Sequence, residues 1–144
     1  GKMRQLPFHI SGEGAAVVSE VAASILEFLP QFRIIAFSGT LGAGKTTLIQ
    51  ELCRQMGVQH AVNSPTFSLV NEYRAGDETI YHFDWYRIND PQELLDIGIY
   101  EYLDSANVCL IEWPSQAEML LEGMPVLKVN ISHAAHGRSY ELGT

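Results

Sequence analysis

Eight consecutive residues, Gly39-Thr40-Leu41-Gly42-Ala43-Gly44-Lys45-Thr46, satisfy the pattern G-x-x-x-x-G-K-[ST] at every fixed position. These residue types fit one chemistry, the cradling of a polyphosphate. Glycines let the backbone wrap an anion without Cβ clashes. The peptide N–H groups of such a turn, continued by a helix N-terminus, converge on that anion. Leu41, Gly42, Ala43 and Gly44 supply the wrapping backbone. The Lys45 ammonium can reach β- and γ-phosphates, the Thr46 hydroxyl can ligate Mg2+, and Thr47 is placed for an α-phosphate.

A loop of this kind needs a carboxylate at the tip of a neighbouring strand to position magnesium. Two segments compete. Val108-Cys109-Leu110-Ile111-Glu112 is an apolar run ending in an acid, and Ile80-Tyr81-His82-Phe83-Asp84 is the other. We assign the metal-side role to Glu112, with Asp84 orienting an attacking water or completing the metal shell. Period-two alternation puts His82, Asp84 and Tyr86 on one face and Tyr81, Phe83 and Trp85 on the other. His82 then either tunes Asp84 or is a hydrogen-bonded structural histidine. Arg87 offers a charge to a γ-phosphate in cis, or a surface ion pair. Trp113 offers a stacking surface near a nucleotide, or packing. Asn63-Ser64-Pro65-Thr66 reads as a switch loop sensing a γ-phosphate, or as plain turn chemistry. His9, His60, His133 and His136 lack ligand spacing, so no transition-metal site is expected.

The elements that must hold these groups follow from periodicity. Arg33 to Ser38 is a short apolar run, expected as a buried parallel strand entering the glycine-rich loop. A helix from about Lys45 to Met56 leaves it, with Gly57 as its stop. Gly14 to Leu29 reads as an amphipathic helix with Val17, Val21, Ile25 and Leu29 at one-turn spacing, Ser11 as N-cap and Pro30 closing it. Phe67–Tyr73 and Thr79–Tyr86 read as a hairpin around residues 74–78. Asp90-Pro91-Gln92-Glu93 is a helix start with a capping acid and a glutamate that can fold back. Val108–Ile111, Val126–Ile131 and Ser139–Leu142 are further strands. The alternation predicts an α/β fold of the P-loop NTPase kind: one domain over 1–144, with a mainly parallel sheet flanked by helices and an antiparallel hairpin.

Composition restricts the partners. The chain has 144 residues, 47% apolar and 18% charged, which argues against disorder. No apolar run approaches the roughly 18 residues of a membrane-spanning helix. The first residues, Gly1 to Pro7, contain no secretory apolar core. The formal charge is −8, and it is concentrated: Glu72 to Glu122 holds twelve acids and two bases. Such a stretch is a poor grip for a phosphate backbone, so any nucleic acid is expected to be held by something else. Cys53 and Cys109 are expected in apolar surroundings with no disulfide framework, which fits a reducing cytoplasm.

Taken together the motifs resemble a known family. Leu41 to Thr47, Ser64-Pro65-Thr66-Phe67, Leu69-Val70-x-Glu72-Tyr73, His82-x-Asp84-x-Tyr86-Arg87 and Ile111-Glu112-Trp113-Pro114 occur in the order and spacing of the TsaE (YjeE) family. Its members are bacterial ATPases needed to make threonylcarbamoyladenosine in tRNA. The resemblance is strong from Gly39 to Pro114 and weaker through Gly137-Arg138; nothing is carried over from before Arg33, and Thr40 stands where many relatives have aspartate. It implies ATP and Mg2+ binding, with the metal on Thr46 and Glu112. It implicates Asp84 in turnover, places Trp113 near the nucleotide and brings Gly137-Arg138 toward it. It also implies TsaD- and TsaB-like partners, with tRNA contacted through their complex, and hydrolysis that activates or resets that complex.

Two other functions compete. A small-molecule P-loop kinase would need a basic lid, and downstream of Tyr73 only Arg74, Arg87, Lys128 and Arg138 are basic. A non-hydrolysing nucleotide switch would share every binding residue. GTP specificity is disfavoured because no Asn-Lys-x-Asp segment follows the loop.

Overall fold

The computed structural model describes residues 4–66 and 68–144. Seven strands form one sheet: β1 (Phe8–Gly12), β2 (Ile34–Ser38), β3 (Val70–Ala75), β4 (Glu78–Asp84), β5 (Val108–Glu112), β6 (Val126–His133) and β7 (Arg138–Gly143). Their order across the sheet is β1-β7-β6-β2-β5-β4-β3. The four central strands, β6, β2, β5 and β4, run parallel. At one edge β3 pairs antiparallel with β4, and at the other β7 and β1 add antiparallel strands. The expected α/β architecture, a mainly parallel sheet with an antiparallel hairpin, is the observed one.

The central strands are apolar because helices cover both faces. On one face α1 (Gly14–Phe28) and α2 (Lys45–Met56) pack on Ile35, Phe37, Val108, Leu110 and Val129. On the other, α3 (Gln92–Asp96), α4 (Ile99–Leu103) and a 3-10 segment (Pro114–Leu121) pack on Ile34, Ala36, Phe83 and Ile111. Alternate residues of β2 therefore serve opposite cores. The same parity turns Ile80, His82 and Asp84 of β4, and Val108, Leu110 and Glu112 of β5, toward α2.

Local chemistry sets the ends. Gly57 closes α2 in the left-handed conformation, with its N–H on the Cys53 and Arg54 carbonyls. Asp90 Oδ1 accepts the Gln92 N–H, while Glu93 folds back onto the N–H groups of Asn89 and Asp90. That is the reciprocal cap expected from Asp90-Pro91-Gln92-Glu93.

Four expectations need correction. Ser11 is not the cap of α1: it lies in β1, hydrogen-bonded to His9, and Glu13 precedes the helix. The period-two apolar residues Phe8 and Ile10 win over the capping signal because β7 offers a partner, with Phe8 opposite Leu142. The strand expected over Phe67–Tyr73 begins at Val70, since Leu69 adopts φ 65°, outside the strand region; Phe67 lies outside the described residues. The partner strand ends at Asp84 rather than Tyr86, where Trp85 turns away to donate its N–H to the Glu112 carbonyl. Finally, β6 runs two residues further than expected, to His133, because β7 continues to pair with it.

Candidate functional site

Parallel strands β2, β5 and β4 end at one edge of the sheet, and their last residues are Ser38, Glu112 and Asp84. In open α/β sheets this carboxyl edge is where ligands bind. The glycine-rich loop bridges β2 and α2 there. Gly44 takes φ 103°, a left-handed conformation that aims the loop into the first turn of α2. The free N–H groups of that turn, with the helix dipole behind them, form an anion-binding end.

The loop and the strand tips share one cleft. Leu41, Gly42, Gly44, Lys45, Thr46, Thr47, Ser64, Asp84, Tyr86, Glu112 and Trp113 line one cleft of about 330 Å³. Glu112 sits directly opposite Asp84 in the β4–β5 register. Its carboxylate accepts from Thr46 Oγ1 at 3.2 Å, Ser64 Oγ at 2.6 Å and His82 Nε2 at 2.8 Å. Burial opposes the charged form of Glu112, but the hydrogen bonds from His82, Ser64 and Thr46, with the His82 charge, outweigh it and hold the carboxyl below its ordinary range. Asp84 behaves oppositely. Burial pushes its carboxyl up, and the single N–H of Tyr86 on Oδ1, with the charges of His82 and Lys45, does not compensate.

The oxygen cluster fits a hard divalent cation. Thr46 and Ser64 hydroxyls lie 3.0 Å apart, and each also touches Glu112. Three oxygen–oxygen contacts share two hydroxyl protons, because an ionised carboxylate brings none. An oxygen-seeking cation such as Mg2+ satisfies such a set, taking few protein ligands and completing its shell with water and phosphate. Among the described residues no three His, Cys, Asp or Glu side chains converge on a common point.

Lys45 is buried at the loop, donating to the carbonyls of Gly39 at 2.6 Å and Thr40 at 3.0 Å. Burial lowers its pKa, against the raising effect of Glu112 and Asp84. Trp113 closes one wall and stacks obliquely with Tyr86, ring centres 4.9 Å apart.

A second, larger cleft of about 750 Å³ lies on the other side of the α2 N-terminus. It shares Gly44 and Thr47 with the first, so the two clefts flank the start of α2. Ala43, Gly137 and Arg138 line it together with Gly12 to Ala15, Val17 and Val18. Arg138 donates to the Ala43 carbonyl at 3.0 Å and the Gly42 carbonyl at 3.3 Å. It thereby braces the loop from behind. The expectation for Gly137-Arg138 is an approach to a nucleotide; the structure places Arg138 on the carbonyls of the loop itself.

Some expectations shift. Of the two readings of His82, the hydrogen-bonded histidine is the observed one: its partners are Glu112 and Tyr73 rather than Asp84, because residues two apart on one strand point the same way without meeting, whereas β5 brings Glu112 across. Arg87 is exposed, outside the cleft, and has no acidic partner among the described residues. The Asn63–Thr66 loop does reach the cluster, through Ser64. Sequence reasoning missed the wall formed by residues 12–18, and Tyr73. The alternation of Phe8 and Ile10 was the available signal for β1, which carries the chain to that wall.

Comparison with known proteins identifies the family. A family model described as "Threonylcarbamoyl adenosine biosynthesis protein TsaE" matches residues 13–140. A tRNA threonylcarbamoyladenosine biosynthesis protein TsaE of Haemophilus influenzae is 42% identical over 109 residues, 76% of this chain and 68% of that protein. The Bacillus subtilis protein of the same name is 34% identical over 130 residues, covering 90% of this chain and 77% of its own length. Among solved structures, a crystal structure of B. subtilis YdiB superposes with a TM-score of 0.66 at 26% identity, over 99% of this chain and 86% of that one. The chain belongs to the TsaE family of tRNA threonylcarbamoyladenosine biosynthesis proteins.

Proposed function

We propose that this protein binds ATP with Mg2+, hydrolyses it, and uses the nucleotide state to activate or reset a TsaD/TsaB-type complex that makes threonylcarbamoyladenosine in tRNA. One observation carries the reading: Lys45, Thr46, Asp84 and Glu112 meet around the N-terminus of α2. The loop amides and Lys45 hold the β- and γ-phosphates, Thr47 takes the α-phosphate, and the larger cleft past Thr47 accommodates the nucleoside. Thr46 and Glu112 would hold the magnesium, which supplies positive charge where the phosphoryl oxygens gain negative charge. Asp84 lacks the contact to Thr46 that Glu112 makes, so it is the carboxylate free to orient the attacking water. Lys45 stabilises charge on the transferred group as the bond to the leaving oxygen breaks.

The partner reading rests on family membership and on charge. Twelve acids against two bases between Glu72 and Glu122 discourage a direct grip on tRNA, so tRNA contact runs through the partners. Among the described residues no helix is long and apolar enough to cross a membrane, and we place the protein in the cytoplasm with its partners.

Phosphate release measured with and without TsaD- and TsaB-type proteins tests the proposal. Turnover should be slow alone, rise with the partners, and fall at least about a hundredfold in Asp84→Asn with ATP affinity retained. Phosphate appearing on a metabolite instead would establish the kinase, and ATP persisting through single turnover with partners would establish a switch without hydrolysis.

A further inference from the structure

His82 is fully buried in β4, and both ring nitrogens are engaged. Nε2 lies 2.8 Å from Glu112 Oε2, and Nδ1 lies 2.9 Å from the Tyr73 hydroxyl. The Tyr73 hydroxyl also lies 2.8 Å from the Asn63 carbonyl, so its one proton serves either that oxygen or Nδ1. The next residue, Ser64, donates to the same Glu112 Oε2 at 2.6 Å. The contacts close into a ring: Glu112, His82, Tyr73, Asn63, Ser64 and Glu112 again.

An ionised carboxylate can only accept, so Nε2 carries the proton toward Glu112 whichever way the Tyr73 hydroxyl points. Oε2 is thereby occupied by two donors. Oε1 is left facing Thr46 Oγ1 at 3.2 Å. A carboxylate 3% exposed without the His82 donor would lose its orientation as well as a charge-stabilising bond. Partners that orient a ligand in this way contribute to metal affinity without touching the metal.

We propose that His82 is a positioning residue for the metal site: it pins Glu112 Oε2, presents Oε1 beside Thr46 to the cation, and couples that carboxylate through Tyr73 to the Asn63–Ser64 loop. The proposal rests on Glu112 being the magnesium-side carboxylate. A packing role alone would need only the ring's volume.

Calorimetric titration of a non-hydrolysable ATP analogue into the full chain, at a series of Mg2+ concentrations, distinguishes the two. His82→Phe should keep metal-free nucleotide affinity within about twofold while raising the Mg2+ concentration for half-saturation about 10–100-fold. His82→Gln, whose amide N–H can stand in for Nε2–H, should recover to within about threefold of wild type. Tyr73→Phe should raise the half-saturation value a few-fold. If His82→Phe responds to Mg2+ as wild type while Glu112→Gln does not, the positioning role is overturned and the metal-side assignment stands. If both respond as wild type, the assignment of Glu112 fails and takes the positioning role with it. Equal impairment of the Gln and Phe variants also overturns the proposal, in favour of packing. Should His82→Phe not fold, Tyr73→Phe decides, because an unchanged Mg2+ response there removes the coupling to the loop.

Discussion

The Lys45 ammonium lies 4.2 Å from the centre of the Trp113 ring. The lysine is therefore held by a π face on one side and by the Gly39 and Thr40 carbonyls on the other. These are dipoles rather than a carboxylate, so the charge is placed but not neutralised. Trp113 keeps this position with a left-handed backbone, φ 58° and ψ 53°, directly after the end of β5.

A polyphosphate entering the loop must draw Lys45 into new contacts, and Trp113 should register it. ATP is expected to change the tryptophan emission of the wild type, and Trp113→Phe should remove that change even though Trp85 remains. Lys45→Ala loses a charged donor worth roughly 1.5–3 kcal/mol per phosphate contact, so affinity should fall about a hundredfold or more. Calorimetry giving wild-type affinity for Lys45→Ala would exclude the loop as the phosphate site.

Glu112→Gln replaces an acceptor-only group with one that also donates. The Thr46 and Ser64 hydroxyls would then have a neutral partner, and the oxygen cluster would no longer attract a cation. Nucleotide affinity without Mg2+ should stay within about threefold, while the gain on adding Mg2+ disappears. A normal Mg2+ titration would refute the assignment.

Gly137 holds Arg138 in place. Its φ is 94°, and a Cβ there would run into the Gly12 carbonyl and Glu13. Gly137→Ala should cost about 1–3 kcal/mol in urea unfolding and weaken nucleotide binding, because Arg138 would no longer reach the Gly42 and Ala43 carbonyls. Arg138→Ala should weaken binding with a smaller loss of stability. Equal stability of Gly137→Ala and wild type would show that the junction of β1 with α1 can yield.

The Glu51 carboxyl is held at about 2, against an ordinary 4.5, by hydrogen bonds from Arg54 and Gln55. A depressed folded-state pKa stabilises the fold above the unfolded value, and that stabilisation fades as pH falls from about 4.5 through about 2. Removing the carboxylate should flatten that part of the acid limb. Melting curves of Glu51→Gln and wild type should therefore differ at pH 6 and converge near pH 2. Parallel curves across that range would show that solvent screens the pair completely.

Burial pushes the thiols of Cys53 and Cys109 up to about 12. Neither should react with iodoacetamide in the native protein at pH 8, and both should react after denaturation. Rapid native labelling of Cys53 would indicate that α2 opens locally, since that thiol lies in its buried face.

What the chain order alone determined was everything encoded within a few neighbouring residues. The Gly39–Thr46 loop, the period-two parity that turns His82 and Asp84 to one side, the Asp90–Glu93 cap and the acid closing Val108–Glu112 are local patterns. Each arises from backbone sterics or from burial of one face, so the sequence carries it directly. Tertiary structure decided which distant groups meet. The β4–β5 register set Glu112 opposite Asp84 and brought it to His82, a partner that the alternation along one strand leaves open. Pairing of Phe8 with Leu142 claimed Ser11 for a strand and built the wall of the larger cleft. The turn between β6 and β7 returned Arg138 to the loop 95 residues before it. Such contacts depend on the closure of a whole sheet, whose register is chosen by the sum of many buried pairs rather than by any short segment.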